Sequence, residues 1–301
     1  MIALLLAAVL QAAPPSPPPA DWPVEEVVVS AARGPVFWRV RRGAGEVWIL
    51  GVPEVFARGQ RWDTTRLRRL LAEARELLTP PEYELKGGRR ERRRRELTLA
   101  ERLPDELARR SAVAVRAAGE TPARYDELSL VDAAYRLRSD LYRAAGLTND
   151  QPDRDIRGLA GRRFLTVRPV ARYSTPFEEA EAAEPEGARC VAGALSDAAL
   201  ARDHAVAASR AWAVGDLRTV RENTAEPQAA ACLDAAPSFA ALAERTQADT
   251  AAALGEALDR GGTTVAVLTL GALLKRGGAL DRLRAAGAEV TTPDAAQALS
   301  R

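Results

Sequence analysis

The side chain that most hydrolytic and zinc-dependent sites require is nearly missing from this chain. Histidine occurs once, as His204. A catalytic zinc commonly takes two or three histidine ligands. A Ser-His-Asp triad needs an imidazole beside a nucleophile on a tight turn such as Gly-x-Ser-x-Gly, which the sequence lacks. Because His204 lies in mid-helix, between Asp203 and Ala205, we interpret it as a surface or hydrogen-bonded interior residue without a catalytic role.

The carboxylates do not follow a metal-binding pattern, and no phosphate-binding loop is present. Asp150, Asp153 and Asp155 lie close together, but a calcium loop needs alternating ligands, a central glycine and a distal glutamate. The glutamates between Glu178 and Glu186 form an acidic stretch that we interpret as a solvated surface connection. Neither Gly-x-x-x-x-Gly-Lys-Ser/Thr nor Gly-x-Gly-x-x-Gly after a strand occurs. We therefore predict no cofactor and no bound metal.

The charge of the chain argues against nucleic acid as a partner but not against an anionic membrane surface. The formal net charge of +2 argues against a dedicated nucleic-acid binder, which carries a broad basic face. Six arginines and one glutamate lie between Arg89 and Arg95. This run could make a weak contact with anionic lipid or lipopolysaccharide of the cell envelope. The alternative is the solvated face of a helix.

The first residues of the chain are typical of an export signal. An unbroken apolar run, residues 2–10, is followed by Gln11, Ala12 and Ala13. The run is about 9 residues long, whereas a membrane-spanning helix needs roughly 20. We expect residues 1–13 to be a cleaved signal peptide, so that the mature protein is exported, most simply to the periplasm, without a transmembrane span. A retained membrane anchor or a misassigned start codon is the alternative.

The two cysteines predict a disulfide. Cys190 and Cys232 are the only cysteines, and neither has a histidine or another cysteine nearby in the sequence. An isolated pair in an oxidising compartment usually forms a disulfide. Closing the loop between residues 190 and 232 would stabilise the fold by about 4 kcal/mol on the chain-entropy model. Two separate buried thiols are the alternative.

The elements that would position any site alternate between strand and helix patterns. Residues 14–34 form a proline-rich leader in which 24–32 could be an edge strand, and the globular domain is expected at 35–292, followed by a tail, 293–301. The predicted strands are 36–40, 46–52, 76–78, 166–170, 264–270 and 289–291. The predicted helices are a short one containing Leu67 and Leu71, a helical region 89–147 in which Pro104 and Pro122 mark helix starts, and helices 197–221, 239–260 and 273–286. This order predicts a helix-rich α/β fold with a central mixed β-sheet to which both ends of the chain contribute strands.

Three sets of motifs resemble those of the TraB/GumN family, over roughly residues 35–292. The stretches that carry the resemblance are FWRV (37–40) and VWILGVPE (47–54), WAVGDL (212–217) and LAER (242–245), and VAVLTLG (265–271) followed by the helix and strand of 279–290. The two cysteines flank the helix of Trp212, as in exported bacterial members of that family.

The resemblance implies a fold shared with Tiki-type metalloproteases, erythromycin esterases and pheromone-shutdown proteins. In active relatives, two Gly-x-x-His motifs, a glutamate and an arginine face one cleft, with a divalent metal in some branches. Here the first histidine position is Glu54 and the second is Gly271, with Leu268 in place of the motif glycine. The family's glutamate aligns near Pro80, Pro81 or Glu82, and only Arg245 matches cleanly.

These departures predict a degenerate member without catalytic residues, which binds a protein, a peptide or a small ligand in the ancestral cleft. Losing both imidazoles removes a base or metal ligand, and such losses lower rates by orders of magnitude. The residual pocket would be marked by Gly51, Glu54, Glu82, Arg245 and Gly271. The glycines could instead serve only tight turns, and Arg245 only an ion pair. The rival hypothesis is a metal-dependent hydrolase or peptidase in which Glu54 and Glu82 hold a hard cation through oxygen ligands.

Overall fold

A computed structural model of the protein describes residues 34–86, 97–150, 152–176, 187–224, 228, 232, 237–291 and 293. The predicted signal peptide, almost all of the leader and of the C-terminal tail, the arginines between Arg89 and Arg95, and the acidic stretch between Glu178 and Glu186 lie outside these residues.

The centre of the fold is a mixed six-stranded β-sheet. The strands of the described chain are β1 (Phe37–Arg42), β2 (Gly45–Val52), β3 (Phe56–Ala57), β4 (Ala74–Thr79), β5 (Glu82–Lys86), β6 (Leu147–Thr148), β7 (Thr166–Pro169), β8 (Arg172–Pro176), β9 (Gly262–Thr269) and β10 (Glu289–Thr291). The six-stranded sheet has the order β10-β1-β2-β9-β4-β7. Strands β2, β9, β4 and β7 are parallel, while β1 is antiparallel to both β2 and β10. The predicted α/β fold with strands from both chain ends is confirmed.

Burial explains why β2 and β9 occupy the middle of the sheet. Residues on both faces of β9 are buried, as they are in the second half of β2. Strands of a parallel sheet that are covered on both faces need such continuous apolar runs. The carboxyl ends of β2, β4, β7 and β9 therefore meet at one edge of the sheet, where side chains from separate parts of the chain converge.

Helices cover the sheet and build a second, helical core. They are α1 (Thr65–Glu73), α2 (Asp105–Ala117), α3 (Ala123–Asp126), α4 (Leu130–Ala144), α5 (Asp153–Gly161), α6 (Gly187–Val214), α7 (Leu217–Glu222), α8 (Pro237–Asp259), α9 (Leu270–Leu274) and α10 (Ala279–Ala285). The helical core is formed mainly by α2, α4 and α6, and it includes the predicted Cys190–Cys232 disulfide, which is confirmed. None of the helices in the described ranges is long and apolar enough to cross a membrane.

Several predicted helix limits are wrong. The predicted helix 197–221 begins ten residues earlier and ends at Val214, because Gly215, with a φ of 85°, turns the chain and Asp216 caps α7. The predicted helix 273–286 is two helices, α9 and α10, separated by residues 275–278. Within the described part of the helical region 89–147, the predicted helix starts at Pro104 and Pro122 are confirmed, since α2 and α3 begin directly after these prolines. Strands β5 and β8, which pair in a separate parallel sheet, were not predicted.

Candidate functional site

A buried tryptophan joins α6 to the end of β2. The indole Nε1–H of Trp212 donates a 2.6 Å hydrogen bond to the carbonyl oxygen of Gly51. The Trp212 side chain is fully buried, and its ring lies edge-to-face with Phe56 at 5.0 Å and with Trp62 at 5.2 Å between centroids. A buried indole needs a partner for its N–H. This contact fixes where α6 crosses the carboxyl end of β2.

Gly51 is required by packing. A Cβ added at this position would lie 2.6 Å from Cδ2 of Leu270 and 2.8 Å from the ring of Trp38, both of which are buried. No such contact is compatible with real side chains, so the close approach of β2, β1 and α9 depends on a glycine. Gly51 itself does not contribute to the described lining of the cavity that begins just beyond it.

A cavity of about 880 Å³ lies at the carboxyl ends of β2, β4 and β9. Residues that follow these strands form one side of it, among them Glu54, Glu82 and Gly271. One face of α6 forms the opposite side through Asp197, Leu200, Ala201, His204, Ala205 and Ala208. Helices α4 and α5 and the end of α7 close the remaining walls.

Glu54 and Gly271, which the sequence resemblance places at the family's two histidine positions, lie side by side in one wall of this cavity. A Cβ built on Gly271 would lie 3.5 Å from Oε1 of Glu54, an ordinary contact distance. Glu54 follows β2, and Gly271 lies in α9, directly after β9, which pairs with β2 in parallel. The hydroxyl of Thr269 accepts from the backbone N–H of Ala272 and fixes the start of α9. Sequence spacing and sheet register thus bring Glu54 and Gly271 together.

The carboxyl group of Glu54 lies in a partly desolvated environment. Water reaches it through the cavity, yet the walls surround it, and this burial raises the pKa of Glu54. The positive charge of Arg138 opposes the rise in pKa, while the negative charge of Asp197 adds to it. A carboxyl group in such a place is held closer to its neutral form than an exposed one and can then donate a hydrogen bond.

An ion pair and a tyrosine flank Glu54. Arg138 on α4 pairs with Asp197 on α6 at 3.2 Å, and both side chains are largely buried. The guanidinium of Arg138 also lies over the rings of Tyr135 and Tyr142, 4.9 and 5.9 Å from their centroids. Burial raises the pKa of Tyr142 to about 12, so its hydroxyl remains protonated at neutral pH. The cavity therefore offers fixed hydrogen-bond donors as well as carboxylates.

Glu82 lines the cavity together with Glu54, but the carboxylate of Glu82 already pairs with two arginines. Arg172 Nε lies 3.1 Å from one oxygen of Glu82, and Arg157 lies 3.6 Å from the other. Arg245 is an exposed residue of α8 whose guanidinium lies 5.6 Å from the ring centre of Tyr173. It does not line the cavity in the described part of the chain. The structure brings Glu54, Glu82 and Gly271 into one cavity and leaves Gly51 and Arg245 outside its lining.

The described residues do not fit the divalent metal of the resembled family. Nowhere in the described ranges do three His, Cys, Asp or Glu side chains converge in a way that could hold a metal ion. The carboxylate of Glu82 is engaged by two arginines, and Gly271 has no side chain to donate. Metal ligands need several free donors converging on one point.

Sequence reasoning missed the residues that α4 and α6 contribute. His204 lies in the cavity wall, with Nδ1 3.2 Å from Oδ1 of Asn223, and Arg138 and Tyr142 reach the cavity from α4. The lining residues of α6 recur every three or four positions, and Arg138 and Tyr142 are four apart, so each set shares one helix face. The periodicity was present in the sequence, but nothing local indicates that these faces meet the end of the sheet.

Comparisons with known proteins support the resemblance. The sequence model of the TraB/PrgY/gumN family matches residues 36–292. Neither a curated protein nor a solved structure matches the chain. The matched region contains all ten strands and every described residue that lines the cavity.

Substitution of Gly51 and of Gly271 by alanine distinguishes a glycine that packing requires from a glycine that only lines the cavity. We predict that Gly51→Ala lowers the free energy of unfolding by about 1–3 kcal/mol, because the methyl group has no room between Trp38 and Leu270. Gly271→Ala should leave stability unchanged or raise it by about 0.5–1 kcal/mol, since the position is helical and open. Urea unfolding of both variants measures the difference. Equal effects would contradict this account of Gly51.

The raised pKa of Glu54 predicts a pH-dependent stability difference. In the unfolded chain this carboxyl loses its proton near its ordinary pKa of 4.5, whereas in the folded chain it does so at higher pH. The folded state therefore binds more protons in that interval, and wild-type stability falls as pH rises through it. Glu54→Gln removes this loss, so the free energy of unfolding of the variant should rise relative to that of the wild type as pH increases above the ordinary pKa of 4.5. Unfolding midpoints across this range measure the gain, and a difference that does not change with pH would refute it.

Proposed function

The chain belongs to the TraB/PrgY/gumN family, and we propose that it is an exported, non-hydrolytic member that binds a short peptide or a similar small ligand carrying both charges. The ligand occupies the cavity at the carboxyl ends of the parallel strands. Glu54, Glu82 and Gly271 mark one wall of this binding site, and the α6 face that includes His204 marks the other.

The position and composition of the cavity carry the proposal. Its wall brings residues that follow β2, β4 and β9 together with one face of α6, so a ligand there would contact several elements at once. In open α/β sheets, ligands bind in the crevice at the carboxyl ends of the strands. The cavity volume of about 880 Å³ lies within the range of small-molecule sites.

The charges of the wall indicate the chemistry of the ligand. Lys275 and Arg154 line the cavity without an ion-pair partner among the described residues, and so do Asp150 and Glu222. Unpaired groups of both signs suit a molecule with an amino group and a carboxylate, as in a short peptide. Complementary charges provide orientation and specificity more than raw affinity.

The absence of hydrolysis rests on the residues that replaced the family's imidazoles. A glutamate and a glycine stand at these positions, and the one histidine in the wall is 3.2 Å from the side chain of Asn223. Losing a general base costs about 10²–10⁴ in rate. The rival carboxylate-metal hydrolase has less support, because Glu82 is held by two arginines.

Export is supported by the disulfide. Cys190 and Cys232 are bonded, and disulfides persist mainly outside the reducing cytosol. The predicted signal peptide of residues 1–13 agrees with this compartment, which we propose is the periplasm.

Blocking the cavity tests the binding proposal. A panel of dipeptides and tripeptides is screened for stabilisation against thermal unfolding, where a ligand at about 100 times its Kd adds about 2.7 kcal/mol. Leu200→Trp fills the cavity from α6 and should abolish the stabilisation seen in the wild type. Val206→Trp adds the same ring to an exposed position of the same helix and should retain it.

The test compares the stabilisation that peptides give to the wild type and to each of the two tryptophan variants. The proposal fails if no peptide stabilises the wild type, or if Leu200→Trp responds to the peptides as strongly as Val206→Trp. Far-ultraviolet circular dichroism of each variant confirms that α6 remains folded before the comparison is made.

A further inference from the structure

The turn between α5 and β7 exposes an aromatic ring in an unfavourable backbone conformation. Phe164 is 98% exposed, the largest exposure of any large apolar residue in the described chain. Its φ of 53° makes it the only non-glycine residue with a positive φ among the described residues. Bulky side chains rarely adopt this conformation, and an outlier of this kind is a reason to look for function.

The position that Phe164 occupies ordinarily belongs to glycine. Its backbone N–H donates to the carbonyl of Gly161 at 3.1 Å, and the N–H of Leu165 donates to that of Ala160 at 3.3 Å. These two bonds form the Schellman motif that ends many helices, in which the residue in the left-handed region is usually glycine. Leu165 packs against the core and completes the motif, whereas the ring of Phe164 points away from it. The fold therefore gains nothing from a phenyl ring at this position.

Two arginines directly precede the exposed ring. Arg162 and Arg163 are both exposed, and neither forms an ion pair with a described residue. Arg75, on the neighbouring strand β4, turns away from them, because its guanidinium lies over Gly262 of β9 and donates to the carbonyl oxygen of Arg260.

We propose that this basic aromatic turn, formed by Arg162, Arg163 and Phe164, binds the surface of a membrane that contains anionic phospholipid. The ring enters the interface between headgroups and acyl chains, and the guanidinium groups contact lipid phosphates. An apolar ring gains free energy when it leaves water for the boundary between headgroups and acyl chains, and basic residues are attracted to the negative surface potential. The contact is weak and reversible, since one ring and two charges fall far short of a membrane anchor.

Two features favour a lipid surface over a protein partner. The ring projects alone, because Leu165 is turned inward and the residues on the other side are arginines. An aromatic anchor in a protein interface usually sits inside a larger patch of contacts that exclude water. A bilayer needs no such patch, since the lipids deform around a projecting side chain.

A membrane contact through Phe164 would also orient the protein. The turn precedes the amino end of β7, while the cavity lies at the carboxyl ends of the strands parallel to it. Contact through Phe164 would therefore leave the cavity open on the side away from the lipid. The inference does not depend on what the cavity binds.

Vesicle co-sedimentation of the full chain tests the proposal. The wild type is incubated with vesicles of phosphatidylcholine alone and with vesicles in which one third of the lipid is phosphatidylglycerol. We expect binding to the anionic vesicles that weakens as salt is added, and at least tenfold weaker binding for Phe164→Gly. The Arg162→Gln/Arg163→Gln variant should bind about tenfold more weakly and lose most of the dependence on salt.

Control variants test whether another exposed apolar residue, the arginines between Arg89 and Arg95, or a loss of stability accounts for the result. Val113→Ala removes another exposed apolar side chain, on α2, and should bind like the wild type. Replacing the arginines between Arg89 and Arg95 by glutamine, alone and together with Phe164→Gly, separates the turn from that basic run. Phe164→Gly should unfold at the same temperature as the wild type or at a higher one, because glycine suits the Schellman position.

Three results would overturn the proposal. The first is failure of the wild type to bind anionic vesicles, which is also the result expected if Phe164 docks on another protein. The second is unchanged binding by Phe164→Gly. The third is a lowered unfolding temperature for Phe164→Gly, which would show that the ring has a structural role after all.

Discussion

The hydrogen bond from the Trp212 indole to the Gly51 carbonyl connects the two halves of the structure. The donor is buried, and a buried donor without an acceptor would cost about 1–3 kcal/mol. The bond lies where β2 ends, between the sheet and the helical core to which α6 belongs. Glu54 follows three residues after the acceptor, and the cavity-lining face of α6 precedes the donor. The position of one cavity wall relative to the other therefore depends on this contact.

The stretches that resemble family motifs contain residues that build the scaffold. Trp212 supplies the buried donor, Gly215 turns the chain with a positive φ, and Asp216 caps α7 through the backbone N–H of Thr219. Gly51 allows the close packing at the end of β2. In the sequence resemblance these scaffold residues coincide with family motifs, whereas Glu54 and Gly271 stand at the positions where it predicts histidines. A chain of this kind can keep the family fold and its cleft while its wall has a different chemistry.

The sequence predicted the parts of this structure that local patterns determine. The apolar runs predicted β2 and β9, and their parallel pairing explains why Glu54 and Gly271, which follow these strands, lie close together. The start of α6 was missed, since its first turns are rich in alanine and glycine and offer little contrast between faces. The contact between Arg138 and Asp197 joins residues 59 apart in the chain, and Arg157 and Arg172 reach Glu82 from elements that no local pattern connects. Such contacts depend on how helices pack, which the spacing of residues within one element does not determine.

The central claim is that the cavity of this family member binds without hydrolysing. The most direct measurement is peptide hydrolysis by the purified protein in the presence of manganese or cobalt, beside a Glu54→Ala variant under the same conditions. The account predicts that neither protein cleaves the peptides above the rate seen without protein. Turnover by the wild type that Glu54→Ala abolishes would contradict it, because Glu54 would then be a catalytic residue that replaces a lost imidazole.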